Sequence, residues 1–126
     1  AEVLRGVAVV MLQQEIPTGI NALYAAAARA AGVPVLLDAG GERRDPSPEL
    51  LRAADFLCPN ESELHRLTSM PTSTQSEVIA AARHLQRAHG ARSVLVTLSA
   101  RGSVLVPEGD AGEVLAQPAT DPPGGR

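Results

Sequence analysis

Short apolar runs alternate with stretches of helical periodicity along this chain. Residues 7–13 (VAVVMLQ) form a continuous, β-branched apolar run, the pattern of a strand buried on both faces. Pro17-Thr18-Gly19 interrupts it, and residues 20–31 (INALYAAAARAA) have helix composition and stop at Gly32, a residue suited to the position just past a helix end. Residues 33–37 (VPVLL) predict a second strand with Asp38 at its carboxyl end. This is a β-α-β unit, whose strands run parallel and whose crossover is right-handed.

The alternation continues through a polar, Gly- and Pro-bearing loop at 40–48 and a short helix at 49–54. A short strand at 56–58 (FLC) follows, then a short helix at 61–67. Residues 77–88 place Val78, Ala81, Ala82, Leu85 and Ala88 on one helical stripe, with Ser73 or Ser76 as cap and Gly90 as terminator. Residues 93–98 (SVLVTL) predict a fourth strand, followed by a turn at 99–102. The segments 103–106 and 114–117 flank a Gly-rich turn containing Asp110, which predicts an antiparallel hairpin. The fold class expected is α/β: a doubly wound, mostly parallel sheet with an antiparallel hairpin at its C-terminal edge.

Composition narrows this picture. The chain has 126 residues, the length of one domain or part of a larger one. Hydrophobic residues make up 44% but aromatics only 2%, so the core must be built from Ala, Val, Leu and Ile. A net charge of −3 with no basic cluster argues against nucleic acid as partner. No apolar stretch approaches the roughly 20 residues of a membrane span, so no membrane partner is expected. Cys58 is the one cysteine, which excludes an internal disulfide, suits a reducing compartment and points to a cytoplasmic location. The chain starts almost on a strand and stops at Pro-Pro-Gly-Gly-Arg, so both ends read as cut, and an organellar address upstream stays open.

Candidate chemistry gathers where strands end. Gln13-Gln14-Glu15, Asp38, Asn60-Glu61-Ser62-Glu63 and Thr97 through Gly102 all follow predicted strands. Open α/β sheets bind ligands at the carboxyl ends of their strands, so the four segments point to one crevice. The competing explanation is structural at each place. Asn60 with Glu63 three residues on also has the form of a capping box, and capping and ligand contact stand at even odds. Glu15 and Asp38 read individually as a loop acid and a strand-end residue. Thr97–Gly102 is either a plain tight turn or a nest of backbone N–H groups able to cradle phosphate. His65, His84 and His89 lack metal-ligand spacing, and Cys58 inside a strand reads as a small buried thiol. Neither a Walker A motif nor Gly-x-Gly-x-x-Gly is present.

Taken together, the stretches LQQEIP (12–17), AGVPVLLDAG (31–40), ADFLCPNESELHRLT (54–68), AARHLQRAHGARSVLVTLSARGSVLV (81–106) and GEVLAQPA (112–119) resemble the ribokinase-type (PfkB) family of sugar kinases, in order and spacing. The resemblance implies ATP-dependent phosphorylation of D-ribose at its 5-hydroxyl. Carried over by position, it implies that Glu15 hydrogen-bonds a ribose hydroxyl and that Asn60 lies near the ATP phosphates. It implies that Glu63 holds a water of a Mg2+ shell, and that Thr97, Leu98, Ser99, Ala100, Arg101 and Gly102 contact the nucleotide. A monovalent cation such as K+ and a homodimer belong to the full-length enzymes of the family. Positioning and charge neutralisation dominate phosphoryl transfer, so these are sensible parts for it.

Two departures stand out. The family has Gly where Ser99 stands, and Leu-Thr-Gly where Leu67-Thr68-Ser69 stands. Its amino-terminal sugar-binding and lid region, and its Gly-Ala-Gly-Asp segment with the catalytic base, have no counterpart in residues 1–126. The expectation is a partial kinase domain with its base beyond Arg126, inactive in isolation. The alternatives are a non-catalytic nucleotide-binding or interaction module, a fructokinase-like or adenosine-kinase-like member of the family, and an unrelated flavodoxin-like or Rossmann domain.

Overall fold

The computed structural model describes residues 9–13, 18–39, 46–109 and 113–118. Six strands make one sheet: β1 Val10–Gln13, β2 Val35–Asp38, β3 Phe56–Cys58, β4 Ser93–Thr97, β5 Ser103–Val106 and β6 Leu115–Gln117. Their spatial order equals their chain order. β1 to β4 are parallel, and β5 and β6 join antiparallel, which is the mostly parallel sheet with an antiparallel edge that the sequence predicts. Four helices connect the parallel strands: α1 Thr18–Ala30, α2 Pro48–Ala53, α3 Glu61–Thr68 and α4 Gln75–His89.

Strand register decides where the core lies. Leu12, Leu37, Leu57, Val94 and Val106 form one row across the sheet and are at most 3% exposed. Burying a Leu or Val side chain this fully stabilises by roughly 1.5–3 kcal/mol. Ala25, Ala28, Leu50, Leu64, Val78, Ala82 and Leu85 of the helices complete the same cluster. The row on the opposite face, Met11, Leu36 and Phe56, is only partly covered, and Met11 is 66% exposed. Sequential strand order with right-handed crossovers puts successive helices on one side. A doubly wound sheet carries helices on both faces, and the described residues supply one of those layers.

Local signals set the helix ends. Ser47 caps α2, with Pro48 at its first turn, and Gly90 (φ 75°) closes α4. The cap of α4 is Thr74, not Ser73 or Ser76: its hydroxyl accepts from Glu77 N–H while the Glu77 carboxylate accepts from Thr74 N–H. The helix starts two residues before the predicted residue 77 because Gln75 and Ser76 fill its first turn on the solvent side. α3 ends at Ser69, in the left-handed region at φ 57°.

Candidate functional site

The carboxyl ends of β1 to β4 surround an open cavity of about 430 Å3, lined by Met11, Leu36, Asp38, Cys58, Asn60, Glu63 and Thr97. Apolar residues of the partly covered sheet face make its floor, and polar groups from three strand ends make its rim. Asp38, Asn60, Glu63 and Thr97, singled out in sequence, therefore line one cavity. The 14–17 segment, with Glu15, lies outside the described residues.

Backbone bonding joins two of the motifs. Asn60 forms an isolated parallel bridge with Thr97, and Thr97 N–H donates to the Pro59 carbonyl at 3.0 Å. The acidic motif is thereby registered against the end of β4. Within it, Asn60 Oδ1 accepts from Glu63 N–H at 2.8 Å and from the Ser62 hydroxyl at 2.9 Å. Glu63 Oε1 in turn accepts from Asn60 N–H at 2.8 Å. The capping box is complete. It occupies one Glu63 oxygen, while the side chain still lines the cavity.

The turn after β4 is a single 3-10 turn, Ser99–Arg101. Leu98 N–H donates to the Gly102 carbonyl at 2.7 Å, Arg101 N–H to that of Leu98 at 3.0 Å, and Gly102 N–H to that of Ser99 at 3.2 Å. The N–H groups of Ser99 and Ala100 have no acceptor among the described residues. The Leu98 side chain is 4% exposed, and its backbone groups are used inside the turn. Ser99 is held at φ 53°. A left-handed backbone costs a non-glycine residue about 1 kcal/mol. Ser69 and Ser99, the two positions where the sequence resemblance implies glycine, both take that conformation, at a cost in strain.

Cys58 sits in the cavity wall with its thiol pKa raised from 9.0 to about 11, first by burial and then by the Asp38 carboxylate. It stays a neutral thiol at physiological pH and is no nucleophile. His65, His84 and His89 are exposed, with the His65 ring bonded to the Met70 carbonyl at 2.8 Å. No group of three His, Cys, Asp or Glu side chains suited to a metal occurs among the described residues. A Mg2+ ion that keeps most of its waters and binds phosphate needs only one or two carboxylates, and the Glu63 and Asp38 carboxylates lining this cavity are compatible with that demand.

Sequence reasoning missed two features. Arg101 pairs with Glu61 and donates to the Ser73 carbonyl at 2.8 Å, joining segments up to 40 residues apart with no local signature. Cys58, Met11 and Leu36 line the cavity, which the alternation of faces from Asp38 back along β2 and across to β3 could have revealed.

A description of the "pfkB family carbohydrate kinase" matches residues 2–122. A protein named ribokinase from Arabidopsis thaliana is 44% identical over 109 residues, which cover 86% of this chain and 28% of that protein. A deoxyribokinase from Salmonella typhi is 32% identical over 106 residues, 82% of this chain and 34% of its own length. The solved structure of Arabidopsis thaliana ribokinase complexed with ribose and ATP superposes with a TM-score of 0.88 at 40% identity, over 95% of this chain and 38% of that one. The chain thus spans about a third of the length of the relatives it matches.

Proposed function

The chain belongs to the PfkB family of carbohydrate kinases, and from that premise we propose that it forms the central part of an ATP-dependent sugar kinase of ribokinase type. The reaction proposed is transfer of the ATP γ-phosphoryl group to the 5-hydroxyl of D-ribose, giving D-ribose 5-phosphate and ADP. One observation carries it: Asn60, Glu63, Asp38 and Thr97 meet on one cavity at the carboxyl edge of the sheet, with the 98–102 turn beside it. That is the edge where open α/β sheets take their ligands. The Arabidopsis relative crystallised with ribose and ATP supports both substrates, and the deoxyribokinase likeness offers a deoxy sugar as the alternative acceptor.

In this reading the Ser99 and Ala100 N–H groups and the Thr97 hydroxyl hold nucleotide phosphate oxygens, Gly102 lets the backbone approach the nucleotide closely, and Asn60 orients the phosphate end. Mg2+ bound to the phosphates supplies charge neutralisation in such reactions. Glu63 would hold one of its waters through the carboxylate oxygen the capping box leaves over. Glu15, two residues beyond β1, would hydrogen-bond a ribose hydroxyl. The catalytic base, the anion hole, a K+ site and a dimer-forming lid would, in this reading, be supplied from outside residues 1–126. Among the described residues no helix is long and apolar enough to cross a membrane.

The test is ribose-dependent release of ADP. The 126-residue chain alone is expected to show none above background, because groups that act as a unit are lost together. The chain extended to the length of its relatives is expected to turn over. Nucleotide binding without turnover in the extended protein would instead support a non-catalytic module, and ribose-dependent ADP release by the chain alone would overturn the partition proposed here.

A further inference from the structure

We propose that Arg101 is a positioning residue that locks the nucleotide turn onto the acidic motif, through Glu61 and the loop between α3 and α4. The turn that would meet the phosphates is short, contains a left-handed serine and leaves two N–H groups without acceptors among the described residues. Its internal bonds close the loop but do not fix how it leans against α3. Arg101 supplies that restraint. One guanidinium nitrogen donates to the Ser73 carbonyl at 2.8 Å, and the other pairs with the Glu61 carboxylate. Glu61 opens α3 directly after Asn60, and its backbone carbonyl accepts from the Thr72 hydroxyl at 3.2 Å. A single side chain therefore ties together the turn, the first residue of α3 and the α3–α4 loop, all next to the Asn60–Thr97 bridge.

The energetics separate this role from a purely structural one. The side chains of Arg101 and Glu61 are 45% and 30% exposed, so the pair adds little to global stability. Its effect falls on the order of the turn. Arginine suits this better than lysine, because its planar fork reaches a carboxylate and a carbonyl at once.

The inference rests on the nucleotide reading of this edge, and two readouts in the extended kinase keep the two apart. Arg101→Met is expected to speed hydrogen exchange at the Arg101 and Gly102 amides about tenfold in nucleotide-free protein, with little change in Tm. It is expected to raise the KM for ATP roughly three- to tenfold, the scale of one partly exposed charged hydrogen bond, with the KM for ribose unchanged. Arg101→Lys should recover part of both effects. Glu61→Gln and Arg101→Met combined should cost less than the sum of the two. Unchanged amide exchange in Arg101→Met overturns the lock whatever the nucleotide does. Faster exchange with an unchanged KM for ATP overturns its link to nucleotide, and a wild-type protein that binds no ATP overturns the nucleotide reading itself.

Discussion

The two ends of the sheet spend their polar groups differently. At the amino ends of the strands the Asp55 carboxylate accepts from Val35 N–H at 2.7 Å and pairs with Arg92 at 3.4 Å. There Gln86 donates to the carbonyls of Arg92, Val106 and Pro107, and Arg83 to those of Pro107 and Gly109. Side chains at that end satisfy backbone groups and hold connections in place. At the carboxyl ends the groups face an open cavity, turn amides lack acceptors among the described residues, and a serine holds a backbone shape that glycine takes more readily. One end is tied off for stability. The other keeps strain and hydrogen-bonding capacity, as ligand sites do.

Substitutions on each side should then differ in sign and size. Asp55→Ala leaves the fully buried Val35 with an unpaired N–H and removes the partner of Arg92. The expected loss is about 1–3 kcal/mol of stability, read by urea denaturation. A neutral result would mean that the amino edge is not the structural end.

At the carboxyl edge the direction reverses. Ser99→Gly should stabilise by about 0.5–1 kcal/mol by relieving the left-handed strain, less whatever glycine adds to the entropy of the unfolded chain. A clear loss of stability in the same denaturation series would show that the serine side chain makes a contact worth more than its strain.

The effect silent at neutral pH concerns the thiol. The Cys58 pKa is raised in the folded chain, so between 9.0 and about 11 the unfolded chain ionises first, and stability falls as pH rises through that window. Alkylation of Cys58 should follow the same titration, slow at neutral pH with a midpoint near 11. Asp38→Asn should lower that midpoint and leave it above 9.0, because burial is the larger cause. A midpoint at the ordinary value would show that the cavity wall is open to water at this residue.

Much of the fold was legible in the order of apolar runs and breakers. The β-branched runs marked the strands, Gly32 and Gly90 marked helix ends, and the change of pattern after Gly102 marked the antiparallel edge. The Asn60–Glu63 spacing announced the cap, which the structure realises, and a cavity lies against the same side chains. Three things were not legible. Thr74 was hidden among Ser73 and Ser76, since several residues in a row can cap and only the true first turn selects one. The continuous run VAVVMLQ read as buried on both faces, yet Val9 and Met11 are exposed, and hydrophobicity alone does not say which residues cover the second face. The Arg101–Glu61 pair spans 40 positions, beyond any local period.

The magnesium dependence of the Glu63→Gln variant, measured as initial rate of ribose phosphorylation in the extended kinase, tests the central assignment most directly. Glutamine keeps a hydrogen-bonding group for the capping box, so Tm should barely move. Losing the carboxylate beside the phosphates should lower turnover at limiting magnesium by about 10–100-fold, with partial recovery in excess metal. A magnesium curve that overlays the wild type would leave Glu63 a helix cap and remove the metal from this edge of the sheet.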